Sequence, residues 1–169
     1  PRIPDWRGKR VWVIGASTGI GKATAELLHA LGAAVALSAR SAGKLQACVA
    51  GMERALAVPL DVTDHGSVQR AAETILAEWG GIDMVLIVAG GYNEMRADSF
   101  DLGAANALVD LNLRGAFNCI DVVLPQLLRQ GAGGVGIVAS VAGYGGLPKA
   151  LVYGPTKAAL INLSESLYL

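Results

Sequence analysis

The sequence is poor in cysteine, in aromatic residues and in charge. Its 169 residues include only two cysteines, Cys48 and Cys119. Their separation matches no metal-ligand spacing, so no metal is expected. Both fall in helical-looking segments, which points to buried thiols in a reducing compartment rather than a disulfide. Aromatics make up 5% and Asp, Glu, Lys and Arg together 17%. Basic and acidic residues each number 14, so the net charge is zero. That leaves no basic field to hold nucleic acid or an anionic membrane. No apolar run is long enough to span a membrane, and the first residues lack a signal-peptide pattern. A cytoplasmic location is therefore expected, with a natural start upstream of Pro1, since the chain does not begin with methionine. No Gly-Lys-Ser/Thr follows a glycine turn, which excludes the phosphate loop of kinases and related nucleotidases.

What the sequence has in abundance is glycine, 22 residues, and hydrophobic side chains, 53% of the chain. Such a composition favours parallel strands covered on both faces, and the length suffices for one domain, 1–169, with a sizeable core. The stretch from Arg10 to Gly21 organises the rest. The run Val11-Trp12-Val13-Ile14 stops at Gly15, and Gly19 and Gly21 follow in the spacing G-x-x-x-G-x-G. Lys22 to Leu31 then reads as a helix. A strand, a tight glycine turn and a helix leave free backbone N–H groups at the positive end of the helix. A phosphate can come close there because glycine has no Cβ. Alone, the glycines are equally compatible with a βα turn that binds nothing.

The remaining pattern alternates strand and helix. Strands are expected at Arg10–Ile14, Ala33–Ala39, Ala55–Leu60, Ile82–Val88 and Val135–Ala139. Between them, helices are expected at Ala42–Met52, His65–Trp79 with Asp64 as N-cap, and Leu108–Arg129 with Pro125 bending or interrupting it. Pro1 to Gly8 reads as a loose lead-in, Tyr92–Leu102 as an irregular loop, Val141–Leu151 as a glycine-rich loop and Val152–Leu169 as a final helix. The nearly all-apolar fourth strand reads as buried on both faces. The fold class is α/β, a doubly wound parallel sheet of the Rossmann type.

In such a sheet ligands bind beyond the carboxyl ends of the strands. There the sequence places Gly15, Ser17, Thr18, Gly19, Ile20 and Gly21 after the first strand, and Arg40 and Ser41 after the second. Asp61 and Val62 follow the third strand, Ala89 and Gly90 the fourth, and Ser140 the fifth. Small residues and backbone dominate, as a dinucleotide laid across the strand ends needs. An acid after the second strand would hold a ribose 2′-hydroxyl, and an arginine accommodates a 2′-phosphate. Arg40 stands there with no acid, so NADP(H) is expected over NAD(H).

Catalytic candidates are Ser140, Tyr153 and Lys157. Tyr153 and Lys157 are four apart on an expected helix and share a face. An ammonium beside a phenol favours the phenolate, and a bound oxidised nicotinamide adds a second positive charge, which suits a tyrosine to acid/base work. Ser140 can donate a hydrogen bond to the same substrate oxygen. Pro155 is tolerable only within the first turn of that helix.

Taken together, these residues resemble a classical short-chain dehydrogenase/reductase over almost the whole chain. The resemblance rests on Gly15-x-x-x-Gly19-Ile20-Gly21, Asp61-Val62, Ala89-Gly90, Asn112 in Leu111-Asn112-Leu113, Ser140 and Tyr153-x-x-x-Lys157. It implies an enzyme interconverting a carbonyl and a secondary alcohol by hydride transfer, with Tyr153 as general acid/base and Ser140 holding the substrate oxygen. Lys157 would tune Tyr153 and bind the nicotinamide ribose, and Asn112 would anchor a proton-relaying water. It implies a homodimer or homotetramer acting on a small-molecule carbonyl or alcohol.

Ile14 and Ile87-Val88 depart from the family's threonine and paired asparagines. Family members run to about 250 residues, so further strands, a substrate lid and a closing loop are expected after Leu169. The alternative is a non-catalytic dinucleotide-binding or interaction module, should the chain naturally end there. Of the loops that would touch substrate, Tyr92–Ser99 and Gly143–Leu151, the residues Tyr144 and Leu147 suggest a partly apolar pocket. His29 and His65 read as structural or solvated.

Overall fold

The computed structural model describes residues 5–168. Five parallel strands form one sheet: β1 (Arg10–Ile14), β2 (Ala34–Ser38), β3 (Ala55–Ala57), β4 (Met84–Ile87) and β5 (Gly134–Ile137). Their order is β3-β2-β1-β4-β5. The chain winds outward from β1 through β3, then returns to the other side of β1. The reversal between β1 and β4 opens a crevice at their carboxyl ends.

Alternation along each strand feeds two cores. Trp12, Ile14, Val85 and Ile87 face α3 (His65–Trp79), α5 (Gly115–Gln130) and Leu160 of α6 (Tyr153–Tyr168). Val11, Val13, Val35 and Leu37 face α1 (Gly19–Ala30) and Leu45 of α2 (Ala42–Val49). All of β2 and the last four residues of β1 are buried. Each fully buried Val, Leu or Ile contributes about 1.5–3 kcal/mol of transfer free energy, before conformational entropy is set against it. A buried polar pair within this layer is satisfied: Trp12 Nε1 donates to Ser38 Oγ at 2.8 Å.

Several boundaries differ from expectation. β3 ends at Ala57, although Pro59, whose missing N–H falls on the side away from β2 at this sheet edge, leaves the bonding to β2 intact. The chain stays aligned, since Val58 N donates to Leu37 O and Leu60 N to Ala39 O. α2 stops at Val49, where a turn through Gly51, at φ +79°, takes over. β4 is buried only at alternate residues, Val85 and Ile87, with Met84 and Leu86 half-buried. Asp64 sits at the start of α3 without capping it and instead pairs with Arg70 at 3.6 Å.

The expected loop before residue 102 contains a 3-10 turn, Ala97–Ser99. Asp101 then opens α4 (Leu102–Val109) by accepting the Ala104 N–H at 2.9 Å. α4 passes through a π turn, Asp110–Arg114, into α5, which runs through Pro125 without a break. Pro1 to Pro4 of the expected lead-in, and Leu169, lie outside the described residues. From residue 5 onward the lead-in is tied down, with Trp6 packed on the α1 face and Gly8 N donating to Gly32 O.

Candidate active site

A crevice of about 680 Å³ runs along the carboxyl ends of the strands. Its floor is the glycine turn. Gly15 has φ +96°, and a Cβ there would lie 2.5 Å from Ala89 N, so the turn after β1 is pressed against the end of β4. A Cβ on Gly21 would overlap the Gly15 carbonyl oxygen. These two glycines let α1 begin directly against the turn. Thr18 holds the cap position with its side chain unbonded to the helix, and the first N–H groups of α1 have no intrahelical acceptor. Ser17, Thr18, Gly19 and Ile20 line the crevice with them.

At one end lie Arg40, Ser41 and Lys44, where β2 gives way to α2. Both cations are exposed. Lys44 escaped the sequence reading, although a basic residue four positions after Arg40 on a helix start is a usable signal. Asp61 lies beside them. Its carboxylate accepts from Thr63 N at 2.9 Å and Thr63 Oγ1 at 2.8 Å, which with the charge of Arg40 holds its pKa below the usual carboxylate value. Val62 is buried, and its carbonyl accepts from Asn118 Nδ2 at 2.8 Å, a brace the sequence did not reveal.

At the other end lie Ala89, Gly90, Gly91, Tyr92, Leu111, Tyr153 and Lys157. Lys157 is 4% exposed. Its Nζ donates to Val138 O at 2.9 Å and stands 5.7 Å from the centre of the Tyr153 ring. Burial lowers the pKa of this ammonium. Gly90 has to be small, because a Cβ would come within 3.2 Å of Asn112 Oδ1 and 3.4 Å of Lys157 Nζ. Pro155 is the third residue of α6, inside its first turn.

Neither Asn112 nor Ser140 is among the residues lining the crevice: Asn112 is 1% exposed behind it, and Ser140, half-buried, stands at the end of its wall. The Asn112 side chain is engaged with protein: Oδ1 accepts from Gly91 N at 2.7 Å, and Nδ2 donates to Gly91 O at 3.0 Å and Thr156 Oγ1 at 3.1 Å. It braces the turn after β4 that Ile87-Val88 cannot brace with polar groups. Ser140 follows the wall residues Val138 and Ala139, and its Oγ accepts the Ala142 N–H at 3.2 Å. Its own hydroxyl proton stays available to donate.

Tyr144 and Leu147 do not line the crevice. Tyr144 is 80% exposed, and Leu147 borders a separate hollow of about 410 Å³ with Met95, Pro148 and Leu151. The glycine-rich segment carries them outward over the surface. His29 and His65 are remote from the crevice, bonded to Glu53 O and to Asp121.

The family model for short chain dehydrogenase matches residues 9–169. The chain belongs to this family. An oxidoreductase of Staphylococcus aureus strain MW2 without an assigned substrate is 31% identical over 157 residues, covering 92% of this chain and 68% of that protein. The 2-dehydro-3-deoxy-L-rhamnonate dehydrogenase (NAD(+)) of a Sphingomonas strain is 35% identical over 168 residues, covering 96% and 66%. A solved short-chain dehydrogenase of Streptomyces avermitilis superposes with a TM-score of 0.89 at 34% identity, covering 95% of this chain and 59% of that one. This short-chain dehydrogenase chain therefore spans about two thirds of the length of the curated relatives it matches.

The family is one of oxidoreductases that use a nicotinamide dinucleotide. The residues here fit such a group, since the side-chain-free floor, the open start of α1 and the cations beside α2 all face one continuous crevice.

Proposed function

We propose that this chain carries the dinucleotide site and the acid/base pair of an NADP(H)-dependent oxidoreductase that interconverts a carbonyl and a secondary alcohol. The observation that carries this reading is that Tyr153 and Lys157 open into the same crevice as the glycine turn. The cofactor, when bound, supplies or accepts a hydride at its nicotinamide ring.

The protein's residues handle the proton. In reduction, the Tyr153 hydroxyl gives its proton to the carbonyl oxygen as the hydride reaches the carbon, and in oxidation it takes that proton back. Ser140 donates a hydrogen bond to the same oxygen and so favours the charge that develops on it. Lys157 presents its ammonium at the same end of the crevice, 5.7 Å from the centre of the Tyr153 ring. Asn112 holds Gly91, and with it the wall facing this pair. Arg40, joined by Lys44, supports the 2′-phosphate preference, because no carboxylate follows β2 to receive a ribose hydroxyl.

The test uses the full-length protein. A panel of benzaldehyde, cyclohexanone and 2,3-butanedione with NADPH, followed by nicotinamide absorbance, should show turnover that Tyr153→Phe abolishes while NADPH still binds. Near-normal turnover in that variant ends the acid/base role. Titration should show NADPH binding more tightly than NADH, with Arg40→Ala removing the difference. Tighter NADH binding overturns the preference; the Sphingomonas dehydrogenase is itself named for NAD(+).

A further inference from the structure

Among the described residues nothing hydrogen-bonds to the Tyr153 hydroxyl, so its ring is held by packing. The Lys157 ammonium stands 5.7 Å from its centre. Tyr92 also meets it, ring against ring at right angles with centres 5.2 Å apart. Tyr92 is 57% exposed and so contributes little to either core. An exposed loop tyrosine usually swings freely, but this one is fixed from three directions.

Before it, the Gly91 backbone is clamped through both N–H and C=O by Asn112. After it, Met95 forms a parallel bridge with Ala150, with Met95 N donating to Lys149 O at 2.9 Å and Leu151 N to Met95 O at 3.4 Å. The Glu94–Lys149 ion pair at 3.0 Å ties the same strap. At the tip, the Tyr92 hydroxyl donates to Lys149 O at 3.3 Å. Lys149 itself sits at φ +64°, a left-handed conformation that a non-glycine residue adopts at a cost. The strap holds that strained residue where its carbonyl meets both Tyr92 and Met95.

We propose that Tyr92 is a positioning residue for Tyr153. The strap holds the Tyr92 ring against the Tyr153 ring, so that the phenol stays turned toward Lys157 and the crevice. This inference rests on Tyr153 being the acid/base, and it adds a requirement that the Tyr153/Lys157 pair alone does not contain. Edge-to-face contact needs an aromatic ring at position 92 rather than mere bulk. The hydroxyl of Tyr92 serves only its anchoring to Lys149.

The experiment is steady-state kinetics of the full-length protein with NADPH and the three carbonyl probes named above, alongside NADPH binding. Tyr92→Leu should lower kcat about tenfold, with KM for the carbonyl and Kd for NADPH within about twofold of wild type. Tyr92→Phe, which keeps the ring and loses only the tip hydrogen bond, should restore kcat to within about twofold. Glu94→Gln, which loosens the strap without touching the ring, should lie between them. Three results overturn the proposal: unchanged kcat in Tyr92→Leu, an effect confined to KM, or a Phe variant as impaired as Leu. Tyr153→Phe measured in parallel separates the two ideas. Turnover that survives it refutes the acid/base reading, whereas its loss together with an unaffected Tyr92→Leu refutes only the positioning role.

Discussion

At the amino ends of β1 and β4, polar groups are matched to one another. Arg10 lays its guanidinium on Asp83 through Nε at 3.0 Å and Nη2 at 2.9 Å. The Arg10 backbone N–H adds a third bond to the same carboxylate at 2.8 Å, and Nη1 reaches Trp79 O at 3.1 Å. Gln130 clamps Ile82 through both its N–H and its carbonyl. At the carboxyl ends of the same sheet the cations lack such partners. Among the described residues Arg40, Lys44 and Lys157 form no ion pair, and Lys157 is buried with a single backbone carbonyl. One rim spends its polar groups on holding the sheet. The other leaves bonding capacity that a ligand can fill, and bears a stability cost for it.

The comparison can be broken most sharply at Gly15. Gly15→Ala forces a Cβ into the Ala89 backbone at a positive φ. It should destabilise the protein by about 2–4 kcal/mol in urea denaturation and abolish NADPH binding. A loss under about 1 kcal/mol would mean that the turn is not packed as tightly as its geometry implies.

Asp83→Asn should cost less, about 1–2 kcal/mol, because the pair is part-exposed and screened, and should leave NADPH affinity within about twofold. Its pH dependence sharpens the point. Arg10 holds the Asp83 carboxyl below its usual value. An unfolded aspartate titrates near about 3.9. The stabilisation is therefore complete above that pH and drains away as pH falls through the folded value. Wild type and Asp83→Asn should converge in stability below about pH 4. A gap of constant size down to the acid transition would contradict the assignment.

The smallest expected change in stability comes from Lys157→Met. Removing a buried, unpaired cation should leave the unfolding free energy within about 1 kcal/mol of wild type, or raise it, while turnover is lost. A large destabilisation would show that Lys157 supports the fold, and would erase the contrast between the two rims.

How legible these rims were from sequence varied with distance along the chain. The β1 turn was readable because a β-branched run, three spaced glycines and a helical pattern lie within about twenty residues. β3 read too long because the apolar run, and its bonding to β2, continue to Leu60 past the last regular strand residue. α4 went unnoticed because its Gly-Ala-Ala stretch carries weak periodicity, although Asp101 was a cap in plain view. That Tyr153 and Lys157 line one crevice was legible in their spacing, but that Ser140 is not among the lining residues was not. The Tyr92 strap was beyond reach, since it joins residues 57 apart whose local sequences announce only loops. The same holds for Asn112, whose partner Gly91 lies 21 residues upstream.

The π turn at Asp110–Arg114 has a final consequence. It stores one residue of slack inside an otherwise continuous rod. Winding the same residues as regular α-helix would take up that slack and turn everything downstream by about 100°. Cys119, Val123 and Leu127, now buried against the sheet, would swing toward solvent, and the amide that grips Gly91 would come away. The irregularity thus works as a phase adjuster. It lets one stretch of helix serve the crevice at its start and the hydrophobic interior along its length, and a mutation that tidied it would disconnect the two.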